Sequence, residues 1–285
     1  MHGSSEYAWR PTRFVQASLA LHLLALVAVL IRPSIWPWAL GIVIANHLLI
    51  TAVGLWPRSR WLGANWVELP EDAAPRNQIA LTIDDGPDPE VTPQVLDVLD
   101  RYGVKATFFC IGVLAERHAE LCRDIVRRGH AVENHSQYHR HHFSLLGPAG
   151  VMREIRAAQQ TLTDITGQPP QFFRAPAGLR NPFLAPVLVK LGLQLASWTV
   201  RGFDTQTGDA GKVTTRLLAK LRPGAILLLH DGHAARTAQG RPVILDVLPR
   251  IIDEAGRRGL HFIRLRDARP VAQAAAPALT ESTGL

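Results

Sequence analysis

Residues 14–56 hold one formal charge, Arg32, in 43 positions. A soluble domain does not sustain so long a run without charged side chains to face water, so this stretch calls for a membrane before anything else in the chain is read. Arg32, Pro33 and Ser34 split it into 18 uncharged residues at 14–31 and 22 at 35–56, each near the ~20 that cross hydrocarbon as a helix. A transmembrane helical hairpin with both ends on one side follows, within an N-terminal membrane anchor of residues 1–66. Six of the seven tryptophans (Trp9, Trp36, Trp38, Trp56, Trp61 and Trp66) sit around the segment ends, as in an interfacial aromatic belt. A cleaved signal peptide would also place Arg10 and Arg13 before an apolar run. However, no small-x-small site follows Ile31, and the second run would remain. His22, Asn46 and His47 are expected to face one another inside the hairpin. Arg10 and Arg13 precede it and Arg58 and Arg60 follow it, against Arg32 alone in the turn. The positive-inside rule therefore puts both flanks, and the domain beyond, on the cytoplasmic side of an inner or plasma membrane.

After a polar linker at 67–76, short apolar runs alternate with amphipathic ones as far as residue 267. Strands are expected at 79–84, 105–111, 130–135, 171–175, 194–200, 225–230 and 261–266, seven in all. Between them lie helices such as 93–102, capped by Thr92, and 113–128, stopped by Gly129. Another, at 243–255, should break or kink at Pro249. Near-continuous apolar strands separated by helices imply an α/β fold on a parallel sheet, either closed as a barrel or open and doubly wound. Residues 268–285, rich in Ala and Pro without a period, read as a disordered tail. The 47% hydrophobic content excludes a disordered polyelectrolyte, and Cys110 and Cys122 are too few for a disulfide framework, so both read as buried thiols. A net charge of +7 suits an anionic surface, but the arginines are scattered and no nucleic-acid motif accompanies them.

The polar residues of this region fall at the C-terminal ends of the expected strands. Asp84 and Asp85 end the first, His135 and His139 the third, Arg174 the fourth, Trp198 and Asp204 the fifth and its loop, and His230 the sixth. In barrel enzymes that rim carries the active site. Each group alone has a bland reading: DDGPDP as a turn, the two histidines as surface residues on one helical face, Arg174 as an ordinary ion pair. Their shared rim favours chemistry. One carboxylate and two imidazoles leave a metal position open, which points to metal-assisted hydrolysis with Asp85, His135 and His139 as ligands. In a regular strand Asp84 and Asp85 would point to opposite faces, so Gly86 and Pro87 are expected to turn both into the mouth. Asp84 then serves as base, supported by Arg174, and His230 as the acid for the departing amine, oriented by Asp204.

At these residues the chain resembles the NodB-homology polysaccharide deacetylases, carbohydrate esterase family four, over roughly residues 77–267. TIDDGP is similar to that family's TFDDGP, HSQYH to its metal motif and RAPAG to its arginine motif; Trp198 with Asp204, and Leu228 with His230, match its last two. The resemblance implies a distorted seven-stranded β/α barrel, usually with zinc, that removes N-acetyl groups from amino sugars. It gives Asp84 the base role, Asp85, His135 and His139 the metal, Arg174 the support of the base, and Trp198 and Leu228 the substrate. Ala177 and Thr205 stand where the family often has aromatic residues, which bears on the sugar pocket. His141 and His142 are alternative ligands outside the motif's spacing.

The substrate is expected to be a polymer or oligomer, or else a lipid-linked amino sugar carrying an acetyl or formyl group, which the hairpin favours. A metal-independent glycoside hydrolase using Asp84 and Asp204 as a carboxylate pair is the rival enzyme class. A non-catalytic membrane-binding module would have no reason to keep base, ligands and acid together.

Overall fold

The structure, a computed structural model, describes residues 9–268. Two helices, α1 (Arg13–Ile31) and α2 (Trp36–Gly54), are joined by a single 3-10 turn that starts at Pro33, and both are long and apolar enough to cross a membrane. Their outward faces are bare hydrocarbon: Leu24, Leu30 and Trp38 are each about two-thirds or more exposed. Polar residues of the two helices meet between them. The His22 and His47 rings meet edge to face at 5.0 Å, and Ser18 donates to Asn46 Oδ1 at 3.1 Å.

The α/β region carries eight short parallel strands: β1 (Gln78–Asp84), β2 (Thr107–Cys110), β3 (Ala131–Asn134), β4 (Phe172–Phe173), β5 (Gln194–Leu195), β6 (Val200–Arg201), β7 (Ile226–His230) and β8 (His261–Phe262). Seven follow the order β5-β4-β3-β2-β1-β7-β6, and β8 pairs with the start of β1. Period-two alternation sorts the side chains of β1. Ile79, Leu81 and Ile83 pack outward against α3 (Val91–Arg101), α8 (Ala210–Leu218) and α9 (Ile244–Arg257), whereas Ala80 joins Phe109, Phe172, Trp198 and Leu228 inside the curl.

The sheet is curled but open, a half-barrel where the resemblance implies a distorted seven-stranded barrel. The expected strand at 194–200 is in fact two, β5 and β6, at opposite edges of the sheet and only four residues apart. Its middle crosses from one edge to the other, the Ala196 N–H still donating to Phe173 on the β4 side and the Thr199 N–H to Ile226 on the β7 side. Arg174 takes the Ala196 and Ser197 carbonyls, while the Ser197 and Thr199 hydroxyls donate to the Pro57 and Val67 carbonyls. Residues 66–68 fill the gap: Trp66 bridges Ala196 and Glu68 bridges Ala225.

Three local expectations also change. α3 begins at Val91 with Glu90 as its cap position, Asp88 Oδ1 accepts the Glu90 and Val91 N–H groups ahead of it, and Thr92 lies inside the helix with Oγ1 donating to Asp231. The helix expected over 113–128 is α4 (Gly112–Arg117) and α5 (Ala119–Arg127), divided where His118 leaves helical geometry. α9 runs on through Pro249 without interruption. Between α5 and α8 lie α6 (Pro148–Thr166) and α7 (Leu184–Leu191), which cover β3 to β5. Cys110 and Cys122 are free and buried. The expected tail lies outside the described residues except Ala268, which is buried.

The hairpin enters the domain without slack. Gly178, with φ +74°, leaves no room for a Cβ, which would lie 2.6 Å from the Trp198 ring and 2.7 Å from Pro57 Cβ, just past α2. Gly178→Ala should therefore cost at least ~2 kcal/mol through left-handed strain and overpacking, read as a lower urea midpoint.

Candidate active site

β1 lies between β2 and β7, and its last residue, Asp84, is paired in register with Phe109 and His230. Both carboxylates reach the mouth because Asp85 itself takes a left-handed conformation, φ 73°, so the turn falls one residue before the expected Gly86. Gly86 serves close approach instead, since a Cβ there would fall on the Asp231 carboxylate. The histidines also meet differently from the helical-face expectation. His135 follows β3 and His139 sits in a loop in which Ser136 (φ 64°) and His139 (φ 48°) are both left-handed. The His139 N–H donates to Ser136 Oγ at 3.1 Å and closes that loop.

Asp85 Oδ1 stands 3.2 Å from Nε2 of His135 and 3.2 Å from Nε2 of His139, and the three donor atoms lie within 4.8 Å of one another. Ligand atoms ~2.1 Å from a tetrahedral divalent ion would lie about 3.4 Å apart, so the set fits a metal with little adjustment. The His135 Nδ1 is turned to the Arg174 carbonyl at 2.9 Å, which fixes the ring and leaves Nε2 for the ion. Burial raises the Asp85 carboxyl, but the hydrogen bond and positive field of His135 outweigh it and hold it well below the usual carboxylate range. Burial takes His139 down to about 4, favouring the neutral ring a ligand needs. His141 lines the cleft, yet neither it nor His142 belongs to the donor group.

Two buried pairs flank this group. Arg174, 1% exposed, donates to Asp84 Oδ1 at 2.6 Å and leaves Oδ2 on the side of His135, 3.9 Å from Nε2. Opposite, His230 Nδ1 lies 2.9 Å from Asp204 Oδ1, and the His230 backbone N–H donates to Oδ2 at 2.7 Å. Burial lowers His230, but the hydrogen bond and charge of Asp204 overcome this and raise its pKa above the ordinary value. Both Asp204 oxygens are engaged and the residue is fully buried, so it does not offer the cleft a second carboxylate as a glycosidase pair requires. Trp198 and Leu228 form apolar wall in a cleft of about 230 Å³ that Asp84, Asp85 and His230 also line.

One residue of the site, Asp231, carried no role in the sequence reading. Its carboxyl, pushed up to about 7 by burial, accepts from Thr92 Oγ1 at 2.5 Å and braces the backbone behind Asp84 and Asp85. Its adjacency to His230 was visible in the sequence, but its contact with Thr92, 139 residues away, was not.

A curled, open parallel sheet with an Asp-His-His donor set between a fixed carboxylate and a fixed imidazole defines a metal-dependent hydrolase. The family model for polysaccharide deacetylases matches residues 71–196. A chitooligosaccharide deacetylase of Bradyrhizobium sp. is 35% identical over 198 residues, 67% of this chain and 90% of that one. A peptidoglycan-N-acetylglucosamine deacetylase of Bacillus cereus is 31% identical, over 73% and 75% of the respective lengths. Among solved structures, the Bc1960 peptidoglycan N-acetylglucosamine deacetylase superposes with a TM-score of 0.65 at 28% identity, covering 72% of this chain and 92% of that one. A family 4 acetyl xylan esterase from Clostridium thermocellum, solved with a cobalt ion, gives 0.58 at 29% identity, over 67% and 89%. The chain belongs to the polysaccharide deacetylase family, the NodB-homology group of carbohydrate esterase family four.

The donor geometry predicts about one divalent ion per purified chain. Asp85→Ala, His135→Ala and His139→Ala should each lose it, whereas Asp84→Asn should keep it; elemental analysis decides, and metal loss on Asp84→Asn would exchange the roles of the two aspartates.

Proposed function

We propose that this protein removes the N-acetyl group of an amino sugar by hydrolysis, with zinc held by Asp85, His135 and His139. The observation that carries this reading is the three-donor group set in one cleft between Asp84, fixed by Arg174, and His230, fixed by Asp204. When bound, the metal supplies Lewis acidity toward the amide carbonyl and toward water. Asp84 accepts the proton of the attacking water at Oδ2, the oxygen that Arg174 leaves free. Arg174 holds that carboxylate in place by a charge-assisted hydrogen bond to Oδ1. His230 carries its proton on Nε2, because Nδ1 is committed to Asp204, and delivers it to the departing amine. Trp198 and Leu228 give the acetyl methyl an apolar wall, and Ala177 and Thr205 leave the sugar side of the cleft wide.

The apolar hairpin anchors the enzyme in the inner or plasma membrane, and the arginine count favours a cytoplasmic catalytic domain. Fusions after Trp66 should give a dark phosphatase and a bright fluorescent protein; the reverse pattern places the domain outside.

Asp84→Asn should lower kcat by at least ~100-fold with metal retained. The pH profile of kcat/KM should be bell-shaped, its alkaline limb falling as His230 loses its proton. That limb should lie above the ordinary imidazole value of about 6.5, and Asp204→Asn should move it down. His230→Ala should slow amide cleavage more than cleavage of an activated ester, whose leaving group needs little protonation. Equal losses on both substrates would remove the acid role.

A further inference from the structure

Beside the catalytic cleft lies a second cavity of about 660 Å³, joined to it through Trp198 and Arg201, which line both. Its charged residues are all cationic: Arg58, Arg201, Arg216 and Lys220. None of the four has a carboxylate partner among the described residues. Arg58 donates to the Thr199 carbonyl at 3.0 Å, and the Arg201 Nε is buried without a hydrogen-bond partner. The Phe203 ring holds two of these cations in place, with the Arg201 guanidinium 5.0 Å and that of Arg216 5.4 Å from its centroid. Cations collected on an aromatic platform with no counter-charge repel one another. They form a preorganised receptor for a multiply charged anion.

The lip of this cavity is made by Trp56, Pro57 and Arg58, directly after α2 ends at Gly54. Pro57 is held there by Ser197, whose hydroxyl donates to its carbonyl at 2.7 Å. The exposed apolar surface of α2, with Leu55 at 54% and Trp56 at 55%, therefore runs straight to the cationic cavity, and the cavity runs on to the donor group. A neutral polysaccharide has no use for this order of surfaces. A molecule with a hydrocarbon tail, then a phosphate, then an acylated amino sugar matches it in sequence.

We propose that the cavity binds the phosphate or diphosphate of a lipid-linked N-acetylated amino sugar, with the sugar in the catalytic cleft and the lipid along α2. This rests on the deacetylase reading for the sugar's chemistry. A soluble nucleoside diphosphate sugar carries the same anion, but the apolar approach at Leu55 and Trp56 favours the lipid form.

The test uses the full-length Asp84→Asn protein in nanodiscs, so that binding is read without turnover. The probes are N-acetylglucosaminyl diphosphoryl polyprenol, a neutral N-acetylglucosaminyl lipid, and uridine diphosphate N-acetylglucosamine. The diphosphoryl lipid should bind tightest. Adding Arg216→Gln with Lys220→Gln should weaken it by about tenfold or more, as loss of a charge-assisted hydrogen bond does. Adding Arg216→Lys with Lys220→Arg, which keeps both charges, should retain most of the affinity. Unchanged thermal unfolding midpoints establish that all variants are folded. Equal binding of the neutral lipid, or no effect of removing the two charges, overturns the phosphate site. Equal binding of the nucleotide sugar overturns the lipid source. Acetate release by the wild-type chain is measured separately. Binding without release would sink the deacetylase reading and leave the anion site standing, whereas release from neutral sugars with no binding preference would do the opposite.

Discussion

The fold and the chemistry both hang on one buried cation, Arg174. It lies inside the curled sheet and donates to Asp84, Thr82 and the carbonyls of Ala196 and Ser197, with the Phe109 ring stacked 4.1 Å from its guanidinium. One side chain thus ties β1 to β4 and to the residues that span the open side of the sheet. Burying a charge is tolerable only when it is paired and its donors are satisfied, and breaking such a pair costs ~3–5 kcal/mol. Lysine cannot replace it, since an ammonium lacks the planar fork that reaches four acceptors in four directions. The ion pair that fixes the Asp84 carboxylate is the same one that shapes the interior of the curled sheet.

The sequence placed the candidate site groups at strand ends because period-two alternation and turn residues mark where a buried strand stops. Asp84, Asp85, His135, His139, Arg174 and His230 were legible on that ground, and the structure brings their side chains to one cleft. Features settled by contacts between distant residues were not legible. The run 194–200 has a strand's composition, but Arg174 and the loop around Pro57 and Val67 take its polar groups and divide it. Thr92 has the form of a helix cap, but a partner 139 residues away claims its hydroxyl. The cationic cavity is assembled from positions 58, 201, 216 and 220, whose spacing carries no motif.

Backbone conformation gathers at the same rim. Asp85, Ser136, His139, Ala177, Phe203 and His233 are all non-glycine residues with positive φ, and each lines or supports one of the two cavities. Such residues are held against their own preference by the packing around them. The cleft is therefore the part of the domain where local stability has yielded to side-chain placement, and the well-laddered pair β1 and β7 beneath it supplies the rigidity that permits this.

The segment that fills the gap in the sheet is also the segment that leads out of the apolar hairpin. Trp66 bridges Ala196 beside the edge strand β5 and Glu68 bridges Ala225 just before β7, and only thirteen residues, 55–67, lie between the end of α2 at Gly54 and Glu68. The molecule consequently has no clean seam. A cut made where the family match begins, at residue 71, would carry away the strands' missing neighbour along with the hairpin and leave the Leu195 and Gly224 carbonyls and the Ser197 N–H without the partners that Trp66 and Leu69 supply. Helix pair and α/β domain are in this sense one heritable unit: recombination could not exchange the first for another helix pair without also resupplying the wall of the second.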